Sequence, residues 1–178
     1  MMYELIATTT FGLEAVCRRE IEDLGYEIKS TENGKVTYLG DERAIVKSNL
    51  WLRTADRVLI KVAMFKAVTF DQLFDQTKAI NWSKYISKNG KFVVNGKSVK
   101  STLFHVSTCQ KMVKKAIVDN LKDAYKVTWL DETEEDYPIQ VSILKDMATI
   151  TMDTSGIGLH KRGYRIKTVE APMKETLA

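Results

Sequence analysis

The chain has 178 residues and a mass of 20.3 kDa, room for one compact domain or two small ones. At 44% hydrophobic and 28% charged, with 2 prolines and 9 glycines, it is too apolar for a disordered segment and too mixed for a low-complexity one. Its net charge of +4 comes with 2 cysteines outside any C-x-x-C pair, 2 histidines and no run near the ~20 apolar residues that span a bilayer; this excludes a disulfide scaffold, leaves too few ligands for structural zinc and points to the cytoplasm. Residues 3–9 read as a strand. Residues 11–24 follow as a helix with Leu13, Val16, Cys17, Ile21 and Leu24 on one side, stopped by Gly25. Residues 26–29 and 36–39 are short strands around Asn33-Gly34, a hairpin signal because both residues tolerate positive φ. Asp41 caps a second helix through about Leu52, and residues 57–66 alternate as a strand buried on much of both faces. The order is strand, helix, strand, strand, helix, strand, which is the βαββαβ, ferredoxin-like order.

A change in charge pattern places a boundary near residues 66–68. Residues 1–66 carry ten basic and ten acidic side chains, residues 67–126 eleven and four, and residues 127–154 one and seven. From Gln76 to Val118 there is no acid at all, against nine lysines, among them Lys97, Lys100, Lys111, Lys114 and Lys115. Gathered on one face, these lysines would attract a polyanion; dispersed, they would only keep the surface soluble. Thr69 with Gln72 makes a capping box for a helix carrying Phe70, Leu73 and Phe74, and Trp82 and Tyr85 fall in a polar connection. Residues 92–97 are strand-like. Residues 107–125 form the clearest helix, with Met112, Val113, Ala116, Ile117, Leu121 and Ala124 inward and Lys111, Lys115 and Lys122 in a narrow arc opposite. After the acidic loop 131–136, residues 139–143 and 148–152 alternate as a terminal hairpin. The fold class is therefore α+β, a ferredoxin-like domain over 1–66 followed by an α/β domain over 67–154.

Catalytic chemistry is sparse. His105 lies in an apolar run as a packed or capped residue, Cys17 sits on a core face, and Cys109 lies near the start of the basic helix, where a helix N-terminus lowers a thiol pKa but nothing else supports a reactive role. Gly156-Ile157-Gly158 lacks the third glycine and the following helix of a dinucleotide or S-adenosylmethionine loop. Two separated prolines cannot supply an Asn-Pro-Pro-Tyr motif. No catalytic, metal-ligating or cofactor-binding residue is assigned. The tail gathers His160, Lys161, Arg162, Tyr164 and Arg165, cations with an aromatic ring that suit phosphate contact and base stacking. The competing reading is a structural linker whose arginines pair with the acidic loop.

The segments Leu52-Arg-Thr-Ala-Asp-Arg-Val58, Thr69-Phe-Asp-Gln-Leu-Phe74, Lys114-Lys-Ala-Ile117, Asp153-Thr-Ser-Gly156, Leu159-His-Lys-Arg-Gly-Tyr-Arg165 and Ala171-Pro-Met-Lys-Glu-Thr-Leu-Ala178 resemble the N-terminal half of bacterial THUMP-containing RNA methyltransferases, the group that includes large-subunit ribosomal RNA guanine-N2 methyltransferases. The resemblance covers essentially the whole chain. It departs at Met173, where leucine is usual, and in the missing catalytic half, which makes the chain a fragment. It implies a ferredoxin-like domain, a THUMP domain, and a basic linker over 155–178 leading to a methyltransferase domain that would use S-adenosylmethionine. The expected function is to present structured RNA, ribosomal RNA in the first reading and transfer RNA in the alternative, to that domain, the chain itself being no enzyme. Lys97, Lys100, Lys111, Lys114 and Lys115 are the expected phosphate surface, with the His160–Arg165 cluster at the interdomain edge. The rival classes are a small-molecule regulatory domain and a protein-interaction scaffold.

Overall fold

The N-terminal strand β1 (Tyr3–Thr9) buries three consecutive side chains, Leu5, Ile6 and Ala7, because it is paired on both edges. It feeds α1 (Glu14–Asp23), whose buried Cys17 and Ile21 stand one turn apart. The helix closes in a Schellman motif: the N–H of Tyr26 donates to Ile21 O at 3.2 Å and that of Gly25 to Glu22 O at 2.9 Å. Gly25 adopts the φ of 88° that this closure needs. Strands β2 (Ile28–Glu32) and β3 (Lys35–Gly40) form a hairpin, then α2 (Glu42–Trp51) and β4 (Ala55–Lys66) follow. Asp41 caps α2, its carboxylate accepting from the Ala44 N–H at 2.9 Å. β1 pairs antiparallel with β3 and β4, and β3 with β2, giving the order β2-β3-β1-β4 of a ferredoxin-like sheet. Tyr38 lies fully buried, its hydroxyl donating to Ser48 Oγ at 2.7 Å. The hairpin differs in detail from expectation. Its first strand begins two residues later, and in its turn Gly34 alone takes positive φ, 74°, while Asn33 does not.

This computed structural model describes residues 1–163 and 173–177. The chain divides into two units, Met1–Lys61 with Asp153–Ala178, and Val62–Met152. Within the first, Glu14 ties the β1–α1 loop to the hairpin, its carboxylate accepting from the N–H groups of Gly34 and Gly12, both at 2.8 Å. The Gly34 bond first, then the residue's own N–H and that of Gly12, hold this carboxyl below its ordinary value of 4.5. A depressed folded pKa gives stability that is present above the ordinary value and lost as pH falls through the folded one. The amide resonances of Gly12 and Gly34 are thus expected to titrate together below pH 4.5, and Glu14→Gln to abolish that titration. Amide shifts that stay flat in the parent chain would show that the carboxylate does not hold the loop.

In the second unit, α3 (Phe70–Lys78) opens on the first half of the expected capping box: Gln72 N–H donates to Thr69 Oγ1 at 3.2 Å, but the Gln72 side chain accepts from the N–H of Val68, one residue before the cap, at 3.0 Å. A short 3-10 turn (Trp82–Lys84), β5 (Lys91–Val99), α4 (Val106–Tyr125), β6 (Asp136–Leu144) and β7 (Met147–Asp153) complete it. β5 runs parallel to β6, and β6 antiparallel to β7. The β6–β7 turn places Lys145 at φ 49° and Asp146 at φ 64°, the double positive-φ geometry of a tight hairpin made without glycine. Asp146 is held there by accepting from Thr102 N–H at 2.6 Å and donating its own N–H to Ser101 Oγ at 3.1 Å. Val113, Ala116, Ile117 and Leu121 of α4 are buried as the spacing predicts, whereas Met112 is half-buried and Ala124 exposed. Trp82 is a core residue rather than part of a polar connection. It is fully buried and its indole N–H donates to Thr77 O at 2.9 Å. No helix among the described residues is long and apolar enough to cross a membrane.

Candidate nucleic-acid interface

α4 carries the densest set of predicted contact residues. Lys111, Lys114 and Lys115 are all exposed, because the helix turns its apolar residues to the sheet and leaves the opposite arc to solvent. They diverge across the helix: Lys114 Nζ lies 5.6 Å from the Phe92 ring of β5, and Lys115 Nζ 5.7 Å from the Phe74 ring of α3. Lys114 also lies 4.0 Å from Glu132 Oε1, whereas Lys111 and Lys115 meet no carboxylate among the described residues. The helix begins at His105 without a side-chain cap, and its first turn holds no acid. Its free N–H groups and dipole therefore favour an anion there. Phe104, 69% exposed, stacks on His105 at a ring-centroid distance of 4.2 Å, so an aromatic face stands at that same helix end. This pair was not singled out from the sequence as a contact, although adjacent exposed rings beside a basic helix are a legible signal.

Lys97 does not join the α4 lysines. On β5, Phe92, Val94 and Gly96 face α4; a Cβ at Gly96 would come within 2.9 Å of Gln110 Cγ. Lys97 points to the other face of the strand, and Lys100 follows the strand end with φ 48°. β5 pairs with β6 alone in its unit, so lysines along it also protect an edge from pairing with another chain. The acid-free stretch is not acid-free in space. Lys78 meets Asp123 at 3.4 Å and Lys91 meets Asp136 at 3.3 Å, the latter directly across the parallel register. The acidic loop is pinned beside this strand through Glu134, which accepts from Ser87 and Asn89 side chains at 3.0 and 3.2 Å.

The tail belongs to the first unit, and much of its chemistry is internal. Val58 O accepts from both Thr154 N–H at 3.0 Å and Thr154 Oγ1 at 2.7 Å, and Val58 N–H donates to Ser155 Oγ at 2.8 Å. Asn49 reaches Thr154 Oγ1 at 3.0 Å and Ser155 Oγ at 2.7 Å. Arg57 pairs with Asp153 and donates to Gly156 O at 3.0 Å. Asp56 takes Lys174 Nζ at 2.6 Å and Thr176 Oγ1 at 3.0 Å. The 52–58, 153–156, 159–163 and 173–177 segments thus bond to one another. Arg162 donates Nη1 to Leu50 O and Nη2 to Leu52 O, each at 2.6 Å, and Nε to Leu159 O at 3.2 Å. Its guanidinium faces the carbonyl end of α2 rather than solvent. Lys161 is exposed, and His160 is half-buried against Gly158, its Nδ1 without a hydrogen-bond partner among the described residues. Tyr164 and Arg165 lie outside the described residues.

The remaining reactive groups are quiet. Burial pushes the Cys17 thiol up to about 12 and raises that of Cys109, opposing any lowering by the helix start. Gly156-Ile157-Gly158 does not fit an S-adenosylmethionine cradle: a ligand backbone approach at Gly158 is blocked by His160, whose Cε1 lies 2.7 Å from where a Cβ would stand, and the Gly156 carbonyl is engaged by Arg57.

A βαββαβ unit followed by an α/β unit of similar length, which carries a long helix with exposed lysines, defines a two-unit α+β protein. The RlmL ferredoxin-like domain family matches residues 4–59 and the THUMP domain family residues 67–153; the chain belongs to the proteins that place the first of these domains ahead of the second. YpsC of Bacillus subtilis (strain 168), named as a candidate RNA methyltransferase, is 58% identical over 178 residues, which are 99% of this chain and 46% of YpsC. A solved protein from Listeria monocytogenes str. 4b F2365, described as a predicted N6-adenine-specific DNA methylase, superposes with a TM-score of 0.96 at 52% identity, covering 99% of this chain and 47% of that one. SMU.472, described as a candidate methyltransferase complexed with SAH, does so with a TM-score of 0.94 at 41% identity over the same shares. The chain spans about half the length of these relatives.

Proposed function

We propose that this chain is the RNA-binding half of an S-adenosylmethionine-dependent RNA methyltransferase, acting in the cytoplasm on structured RNA, with ribosomal RNA the favoured target. The observation that carries this reading is the single helix α4. Its outward face presents Lys111 and Lys115 without acidic partners among the described residues, and its uncapped N-terminus lies beside the exposed Phe104–His105 pair. Lysines, free helix N–H groups and an aromatic face together match the phosphates and unstacked bases of RNA. The THUMP match and the names of the relatives support the methyltransferase context, and the SAH in SMU.472 supports its cofactor. In this reading residues 1–66 are the ferredoxin-like domain, 67–154 the RNA-binding THUMP domain, and 155–178 the linker to the methyltransferase half. Lys100, Lys111, Lys114 and Lys115 contact phosphates, with Lys97, His160 and Lys161 as outlying contacts.

Changing Lys111, Lys114 and Lys115 together to alanine should weaken binding to structured RNA. It should also reduce the slope of log affinity against log salt by roughly two, Lys114 contributing least because Glu132 and Phe92 already engage it. Phosphate contacts carry no base information, so ribosomal and unrelated structured RNAs should lose affinity alike. A folded triple variant with the parent's affinity and slope would overturn the assignment of α4.

A further inference from the structure

Helix α2 ends in an apolar face that its own unit leaves open. Val46, Leu50 and Trp51 are 59%, 62% and 67% exposed, and Val46 and Leu50 stand one turn apart. Arg43 and Lys47 on the same helix are exposed and meet no carboxylate among the described residues. Leu50 and Trp51 continue into an open groove of about 810 Å³, also lined by Val16 and Leu24 of α1 and by Leu159 and Thr176 of the tail. We propose that this face of α2, with its groove, is the seat of the methyltransferase half, an inference that rests on the function proposed above. The partner surface is an apolar patch that meets Val46 and Leu50, with carboxylates placed to face Arg43 and Lys47 on the adjacent side of the helix and none facing Glu20 and Asp23, which also line the groove.

Two arguments select this occupant over a second copy or a separate protein. The tail is bolted to the end of α2 through Arg162, and the described residues 173–177 reach the groove wall at Thr176. Any polypeptide continuing from there starts beside the apolar face. Three exposed side chains also fall far short of the ~800 Å² that each partner buries in a stable complex between free proteins. A domain tethered at this point, at an effective concentration in the mM range, needs much less contact to stay seated.

Thiol labelling tests the proposal, because Cys17 and Cys109 are both buried and an introduced cysteine is the reactive one. Val46→Cys and Leu50→Cys should react readily with a maleimide in the 178-residue chain and at least about tenfold more slowly in the full-length parent protein. Equal rates in the two would overturn it. So would a slowing in the 178-residue chain that grows with its concentration, which assigns the face to a second copy, or one that appears only when RNA is added. Methyl transfer by the same parent samples separates the two readings. An active parent with unprotected thiols overturns the docking surface alone, whereas protected thiols in a parent that binds no S-adenosylmethionine overturn the functional reading and leave the surface standing.

Discussion

Trp82→Ala should cost the second unit about 3–5 kcal/mol, the range for removing a fully buried large aromatic side chain. Trp82 bonds to both α3 and α4, and its loss also removes the indole donor from Thr77 O, leaving that carbonyl only the Ile80 N–H at 3.3 Å. Asn120 of α4 is fixed at the same place, donating to Lys78 O at 2.9 Å and accepting from the Trp82 N–H at 3.3 Å, so the cavity cannot close by a simple shift of the helix. A loss of that size is a large share of the 5–15 kcal/mol that stabilises a typical domain. In a unit of this length each kcal/mol moves the melting temperature by about 4–8 °C. RNA affinity should fall with the folded fraction, and Trp82→Phe, which keeps most of the ring volume, should recover most of both. A loss below about 1 kcal/mol in Trp82→Ala would mean that the indole is not the keystone of this core.

Arg162→Ala is the second large effect, and it is local rather than global. The guanidinium spans three carbonyls, and those of Leu50 and Leu52 belong to the C-terminal end of α2, where helix carbonyls lack partners and the dipole favours a cation. Hydrogen bonds from a charged donor contribute more than neutral ones, and with partial exposure the set should be worth about 2–3 kcal/mol. Each 1.4 kcal/mol is tenfold in an opening equilibrium, so amide exchange at Leu159, which donates to Asp56 O at 2.8 Å, should accelerate roughly 30- to 100-fold. The ammonium of Arg162→Lys cannot bridge three carbonyls and should restore only part of the protection. Unchanged exchange at Leu159 in the alanine variant would show that the bonds of Asp153–Ser155, Lys174 and Thr176 hold the tail without Arg162.

Local signals were legible from the sequence, and long-range ones were not. The Asp41 cap, the Thr69–Gln72 box, the closure at Gly25 and the inward face of α4 each depend on residues within a few positions of one another, and the βαββαβ order followed from them. Trp82 escaped because a core residue in a single 3-10 turn leaves no periodicity to read. The basic surface was legible as lysines but not as geometry. Folding brings Asp123, Glu132 and Asp136 to Lys78, Lys114 and Lys91, and the strand alternation of β5 turns Lys97 away from α4. The tail misleads most. Its cations suggest an outward contact, yet the hydroxyl and carboxylate groups of Asp153, Thr154 and Ser155 find their partners nearly a hundred positions upstream, at Arg57 and Val58. Spacing carries no trace of such pairings.

Those returning bonds also set an order of events during synthesis. The first unit starts the chain but is closed by residues after Met152, with hydrogen bonds such as Lys174 to Asp56 spanning 118 positions and Thr176 to Asp56 spanning 120. The second unit is continuous, Val62–Met152, and has all its partners as soon as β7 is made. A ribosome delivers residues in sequence at about 5–20 per second, and domains fold as units as they emerge. The four N-terminal strands are all made by Lys66, but their bonds to the tail wait until the inserted unit has been synthesised. The first unit is sealed only when the polypeptide has come all the way back, so of these two units the one begun first is the one closed second.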